Sequence, residues 1–397
     1  MATPVNYRFL MDVLSVPRPN GSAAERETRR QLRNWLEGRG IDTQVHEFDL
    51  YPYLFEVIGI WIILSRGVLV TAILLDWGWW TLLIGLIGLA GGLVDFVFRK
   101  PLISWIGKTR GQNLFVRFEP EAGPATKELI LSAHTDTKTE PLDHQQRMLL
   151  LRSLPLGITL SFLLSFAGPL QRMLPAYSEI ISIAAIVLAI PTLVLAFALG
   201  FNLSVGRLLQ PSRGALDNGT ACAILLGLAQ RIKDGSLALG QTRVTIAWFT
   251  GEEADRQGSW AFAGDRQEDL PAAVVNLEVM AQDGEYVLWD EDGTVFKRRP
   301  TDPAMNGLLA EAVENITGQA PIRGGPMVSD GAAFIAHGLP TAVLGTYDTF
   351  HVDTGFHCPD DCLDRVVFAR LPEGVDILTH LIEGYDRAED RLTGLGA

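Results

Sequence analysis

Three cysteines in 397 residues are too few for a disulfide framework and fit a reducing compartment. Charge is also scarce: 20% of the residues are Asp, Glu, Lys or Arg, against roughly 25% in an average soluble domain. The basic share is the smaller one, 33 Lys and Arg against 46 Asp and Glu, for a net charge of −13. With no basic excess to neutralise phosphates, the chain does not read as a nucleic-acid binder. No basic n-region with a short apolar stretch and cleavage site opens it, so no secretory signal is expected. Repeats and low-complexity tracts are lacking too, and a hydrophobic content of 48% argues against disorder.

That apolar content is concentrated in four runs, at 57–75, 81–98, 154–170 and 180–201. A membrane helix needs about 20 apolar residues. The last two runs carry no charge, whereas the first contains Arg66 and the second Asp95. Short links join them in pairs, Asp76-Trp77-Gly78-Trp79-Trp80 in the first and 171–179 in the second, and tryptophan favours the membrane interface. The reading is four transmembrane helices in two inserted hairpins, at 53–98 and 154–201, each leaving the bilayer on the side it entered. Arg99, Lys100, Lys108, Arg110, Arg147, Arg152, Arg207 and Arg213 flank the side shared with the rest of the chain, against Arg172 alone on the other. The positive-inside rule therefore predicts an integral membrane protein with its catalytic domain in the cytoplasm. Gly88 and Gly92, four apart, suggest close helix packing.

The remainder, 1–52, 99–153 and 202–397, reads as one α/β domain with a mixed sheet. Helices are expected at 22–38, 221–232, 303–317 and 373–387 and strands at 42–50, 113–118, 128–133, 242–249, 272–277 and 341–345. Polar chemistry collects where these elements end. His134-Thr135-Asp136 follows one strand, Asp217-Asn218-Gly219 precedes a helix, and Glu252-Glu253 follows another strand. Glu278 ends a third strand, and His357 opens His-Cys-Pro-Asp-Asp. Two histidines with several carboxylates form a nitrogen-and-oxygen donor set suited to zinc. A two-metal site needs one shared carboxylate and one free base, and adjacent acids such as Glu252 and Glu253 can divide binding from proton transfer. Each element alone has an ordinary reading, as a turn or a solvated pair; their ordered combination does not.

The ordered pieces SAHTD, GALDNGTA, FTGEE, NLE, SDG with GLP, and HCPDD resemble the M28 family of zinc aminopeptidases. The resemblance covers the chain apart from the hairpins. It implies an α/β/α zinc-exopeptidase domain with a mixed, mostly parallel eight-stranded sheet. It further implies two Zn2+ ions, one held by His134, Asp217 and Glu278 and the other by Asp217, Glu253 and His357. Glu252 would be the general base, with Asp136 orienting His134 and Asp361 supporting His357. Two positions depart from the pattern: Glu278 stands where the family usually has Asp, and Gly331 follows Ser329-Asp330 where His is frequent.

The implied activity is hydrolysis of amide bonds, first as an aminopeptidase. The rival readings are an N-acyl or lipid amidase on the same metals, a glutaminyl-cyclase-like enzyme needing one zinc, and a non-catalytic scaffold. His351 rivals His357 as a ligand, and His144 reads as a surface residue. Cys222 reads as core, and Cys358 with Cys362 as loop packing in preference to a metal or redox pair. Strand 113–118 should join 128–133 through a short turn and run antiparallel to it. Both hairpins then depart from the metal end of the sheet. The catalytic opening would face the bilayer, the expected partners being the lipid bilayer and a membrane-associated peptide or acylated amine. Arg66 is a candidate contact for a headgroup or a substrate carboxylate.

Overall fold

In the computed structural model, residues 4–99, 101–266, 270–294, 297–347 and 355–388 are described. In chain order the elements are α1 (Tyr7–Leu14), α2 (Ala23–Glu37), β1 (Gln44–Leu50), α3 (Leu54–Leu74), α4 (Trp80–Phe98), β2 (Thr109–Phe118) and β3 (Lys127–His134). There follow α5 (His144–Ser165), α6 (Ala167–Met173), α7 (Ser178–Ser204), α8 (Ala221–Lys233), β4 (Thr242–Phe249), α9 (Gln257–Asp265) and β5 (Ala272–Glu278). The last are β6 (Glu285–Gly293), β7 (Arg298–Pro300), α10 (Pro303–Thr317), β8 (Ile322–Met327), α11 (Gly331–Ala336), β9 (Thr341–Tyr347) and α12 (Arg370–Arg387). The chain divides into two compact units. One comprises Met1–Leu50, Thr109–Thr139 and Gln210–Ala397, the other Tyr51–Lys108 and Glu140–Leu209.

The first unit is a mixed α/β fold. Among the described residues its sheet has nine strands in the order β1-β2-β4-β3-β5-β9-β6-β7, with β8 on β6. Nine replaces the expected eight, and β7 is only a three-residue strand. The central strands β4, β3, β5 and β9 are parallel to one another. Every residue of β3 and β5 is buried, as expected where helices cover both faces of a parallel sheet. Within that apolar run the two-residue period still sorts side chains. Leu129, Leu131, Val244, Ile246, Trp248, Val275 and Leu277 join the core shared with α8, α10 and α12. Ile130, Phe249 and Val274 turn to the opposite face, against Phe262 of α9 and Phe334 of α11. The result is an α/β/α sandwich.

One expectation needs correction. β2 and β3 are consecutive and opposite in direction, but they are not neighbours, because β4 lies between them. The 119–126 connection therefore spans a strand position in the sheet. The direction is unaffected, so β2 still begins at the end where β3 finishes.

Capping residues set the ends of α2. The Ser22 hydroxyl accepts the Glu25 N–H at 3.0 Å, and the helix stops at Gly38. In α8 all but two residues are buried, so it is apolar all round, as an enclosed helix must be.

The second unit consists of α3, α4, α5, α6 and α7, which supply four spans long and apolar enough to cross a membrane. Its packing is inverted relative to a soluble core. On α7 the large side chains of Ile183, Val187, Ile190, Val194 and Phe197 point outward, whereas Ala185, Ala189, Thr192 and Ala196 are buried. Small residues bring the helices together, as in membrane bundles. A Cβ on Gly59 would lie 2.6 Å from the Gly200 carbonyl, and one on Gly85 would lie 2.3 Å from Ser165 Cβ. Gly88 is a close-approach site too, but Gly92 faces open space, so the stripe on α4 is Gly85, Gly88 and Gly91.

Arg66 is buried inside this unit. Its guanidinium donates to Ser161 Oγ at 3.2 Å, Ser65 Oγ at 2.8 Å and the Gly88 carbonyl at 2.9 Å. It ties α3 to α4 and α5, and this replaces its candidate role at a headgroup or substrate. Asp95, the other charge within a run, accepts the N–H groups of Leu102, Ile103 and Ser104. α5 starts at His144, well before residue 154, because Asp143 and Gln146 form a capping box. This places His144 in the first turn of that helix.

Candidate metal centre

Ligands in open α/β sheets collect at the carboxyl ends of parallel strands, and the polar motifs gather there. His134 is the last residue of β3 and Glu278 the last of β5, while Glu252 and Glu253 follow β4 by a short turn. Asp217 comes from the 214–220 loop preceding α8, in which the Asp217–Asn218 peptide is cis. His357 follows β9 at φ +60°. Val279, directly after Glu278, is at φ +52°, a conformation costly for a β-branched residue and characteristic of functional sites.

Asp217 lies at the middle. Its Oδ1 is 3.1 Å from His134 Nε2, and its Oδ2 is 3.4 Å from His357 Nε2. His134 Nε2 is also 3.6 Å from Glu278 Oε2, and His357 Nε2 is 2.9 Å from Glu253 Oε1. Two triads result, His134–Asp217–Glu278 and Asp217–Glu253–His357, with the ligand atoms of each within 4.8 Å of one another. Glu252 joins His134 and Glu253 in a third such group.

The electrostatics suit a cation. Burial would depress the charge on His134, but hydrogen bonds to Asp217 and Glu278 dominate and raise its pKa well above the usual value. Burial likewise opposes ionisation of Asp217, yet the two histidines hold it far below the usual carboxylate range. Glu252 and Glu278 are pushed upward by burial; nearby Glu253 and Asp330 add to the shift at Glu252, and Asp217 at Glu278. Carboxylates crowded in a largely buried site with imidazole nitrogens between them form a donor set that fits zinc.

The two supporting carboxylates are engaged with backbone N–H groups around the site. The Asp136 carboxylate lies 3.8 Å from His134 Nδ1, which instead meets the Asp136 backbone carbonyl at 3.1 Å. Asp136 Oδ1 accepts from Gly251 N at 3.0 Å and Glu252 N at 3.3 Å, and Oδ2 from Glu253 N at 2.9 Å. The carboxylate thus holds the turn bearing both glutamates, and burial foremost raises its pKa to about 6. Asp361 accepts the Leu216 N–H at 2.6 Å and the Asp217 N–H at 3.2 Å. It therefore fixes the Asp217 loop.

Several contributors had no role assigned from the sequence. Arg18 is fully buried and donates to the carbonyls of Thr135, Arg213 and Gly214, joining β3 to the Asp217 loop. Asn218 and Asn276 both donate to the Glu278 carboxylate. Asp330 is buried near Glu252, and burial foremost raises its pKa to about 7. Buried Asn and Arg in otherwise apolar surroundings were the available signal. Cys222 lies in the core as expected, its thiol against the His134 carbonyl at 3.0 Å. Cys358 and Cys362 are not disulfide-bonded, and the Cys358 thiol donates to the Phe356 carbonyl at 3.3 Å. His351 lies outside the described residues.

A mixed sheet carrying histidine–carboxylate triads at its parallel-strand ends has the architecture of a zinc exopeptidase fold. Residues 200–379 match the family model described as Peptidase family M28, which bears out the M28 resemblance of the motifs. Among solved structures, the chain is similar to an aminopeptidase from Aneurinibacillus sp. strain AM-1, with TM-score 0.56, 13% identity and coverage of 95% of this chain and 92% of that one. It is similar as well to the Fimbriiglobus ruber glutaminyl cyclase, with TM-score 0.56, 15% identity and 97% of each chain covered. A zinc aminopeptidase from Bacillus subtilis gives TM-score 0.55, 11% identity and 97% coverage of each chain. At these identities the likeness is one of fold. No curated protein matches the sequence.

Proposed function

We propose that the chain is a membrane-anchored, two-zinc aminopeptidase that removes N-terminal residues from membrane-associated peptides. The supporting observation is the position of Asp217, whose two oxygens face separate histidines. His134, Asp217 and Glu278 would hold one zinc, and Asp217, Glu253 and His357 the other. When bound, zinc supplies a Lewis acid for the scissile carbonyl and lowers the pKa of the attacking water. Glu252, its proton affinity raised by burial and by Glu253, takes the proton from that water and delivers it to the leaving amine. Asp136 keeps Glu252 aimed by holding its backbone N–H.

Membrane anchoring is supported by four apolar spans and by the outward apolar face of α7. The lysines and arginines flanking those spans favour a cytoplasmic catalytic domain. The chain leaves and re-enters the catalytic unit only at the ligand-bearing end of its sheet. Leu50 pairs with Thr109 beyond the point where β2 meets the end of β4, and Thr139 Oγ1 accepts the Ser212 N–H at 2.9 Å. This favours a substrate that is itself at the membrane.

The test is zinc content of the purified full chain together with a panel of aminoacyl fluorogenic peptides, N-acyl amino acids and N-terminal glutaminyl peptides. Two zinc ions and release of N-terminal residues are expected. Preference for N-acyl substrates would transfer the reading to an amidase; one zinc with ring closure of glutaminyl peptides would transfer it to a cyclase. Glu252→Gln should retain zinc while turnover drops by about 10²–10⁴-fold. Full activity in that variant would refute the assignment of the base.

A further inference from the structure

Glu278 carries one methylene more than an aspartate would, and so one more rotatable bond to be ordered before it can serve as a ligand. Ordering a longer side chain forfeits more rotamer freedom. Both of its oxygens are held. Asn276 Nδ2 donates to Oε1 at 2.8 Å, and Asn218 Nδ2 donates to Oε2 at 2.9 Å. Asn276 lies two residues before Glu278 on β5, so strand geometry puts both side chains on the same face. Its amide is oriented in turn by Ser132 on β3, whose hydroxyl donates to Asn276 Oδ1 at 2.8 Å from the paired position in the ladder. That bond leaves Nδ2 to face the carboxylate. On the other side, Asn218 adjoins Asp217, and its Oδ1 accepts the Val279 N–H at 3.2 Å. All four side chains are buried.

We infer that Asn276, oriented by Ser132, is a positioning residue that works with Asn218 as an amide clamp on Glu278, setting the longer carboxylate for one zinc ion. This deepens the two-zinc reading above and depends on a zinc ion binding at His134, Asp217 and Glu278. It does not depend on the substrate. The clamp leaves each oxygen a further lone pair for the metal while removing the side chain's rotational freedom. Partners of this kind are worth about 10–100-fold in metal affinity.

The test is a competitive zinc titration of the full chain in detergent against a chromogenic chelator, as a double-mutant cycle over Asn276→Ala and Glu278→Asp. In the native background Asn276→Ala should weaken one zinc-binding step by about 10–100-fold and leave any other unchanged. In the Glu278→Asp background the shortened carboxylate no longer reaches Asn276, and the same change should shift affinity by less than about threefold, the mark of a coupled pair. Equal weakening in both backgrounds would make Asn276 merely structural and overturn the inference, as would no weakening in either. Ser132→Ala, a milder change, should weaken the same step by a smaller factor and decides the matter if Asn276→Ala does not fold. Because the readout is zinc, failure to cleave any peptide would remove the aminopeptidase reading and leave the clamp standing.

Discussion

Replacing Asp136 with alanine isolates the geometry that aims the two glutamates. The carboxylate accepts two well-formed backbone bonds, from Glu253 at 2.9 Å and Gly251 at 3.0 Å, and a longer one from Glu252 at 3.3 Å. Its removal orphans the N–H groups of a buried turn, at about 1–3 kcal/mol for each good bond. Against this, the substitution relieves the burial of a carboxyl whose pKa is pushed up to about 6, so the net loss falls near the lower bound, about 2 kcal/mol. A loss of that size corresponds to a roughly 30-fold larger population of the locally open state. Amide hydrogen exchange by mass spectrometry on peptides covering 249–256 reads it directly. The Gly251 and Glu253 amides should lose about that much protection while β3 and β5 keep theirs. Unchanged protection at 251–253, or a loss spread evenly across the sheet, would refute the role given to Asp136.

Gly85→Ala should push α4 from α5, because its Cβ would lie 2.3 Å from Ser165 Cβ, and should destabilise the helical unit by about 1–3 kcal/mol. Gly92→Ala, facing open space, is the control, expected to be neutral or up to ~1 kcal/mol stabilising; thermal unfolding in detergent compares the two. Asp386 accepts the N–H groups of Gly240, Gln241 and Thr242 at the start of β4, and although partial burial opposes it, these bonds lower its pKa. A carboxyl lowered on folding stabilises above its unfolded pKa and loses that contribution as pH falls through the folded one. Asp386→Asn should therefore cost about 1 kcal/mol at neutral pH, solvent screening included, and little at pH 2, as urea titrations at both pH values would show. Asp361→Ala should free the Leu216 and Asp217 N–H groups and weaken zinc binding by about 10–100-fold, measured by the same chelator competition.

Most of the architecture was legible because its elements are strongly patterned. The expected bounds of β4 and α10 agree with the observed ones, and the ends of α2 follow from Ser22 and Gly38. Elements with weak patterns were missed. β6 contains Asp290-Glu291-Asp292 near its end, and β8 contains two glycines and a proline, so neither reads as a strand even though their ladder partners support them. The neighbour of β2 could not be read, because sequence order does not show that β4 enters between β2 and β3. At the site, the motifs brought His134, Asp217, Glu252, Glu253, Glu278 and His357 together as a group. The partners that hold them were not legible. Whether Asp136 supports a histidine or a turn depends on which backbone N–H groups lie within 3 Å, a matter of tertiary placement. Asn218 and Asn276 sat within recognised motifs, but only pairing of β3 with β5 shows what their amides do.

The division of the α/β unit into Met1–Leu50, Thr109–Thr139 and Gln210–Ala397 has a consequence for the timing of biosynthesis. The first instalment to leave the ribosome contains none of the six site residues, the second brings only His134, and the third brings the other five. β1 has no ladder partner until the first helical hairpin has been made, and β3 has none until the second is complete, since both its neighbours, β4 and β5, follow it. The site is therefore absent throughout the interval in which the apolar spans are emerging. Assembly of the six-residue cluster thus waits until both helical insertions have been synthesised, because five of its members follow them in the chain.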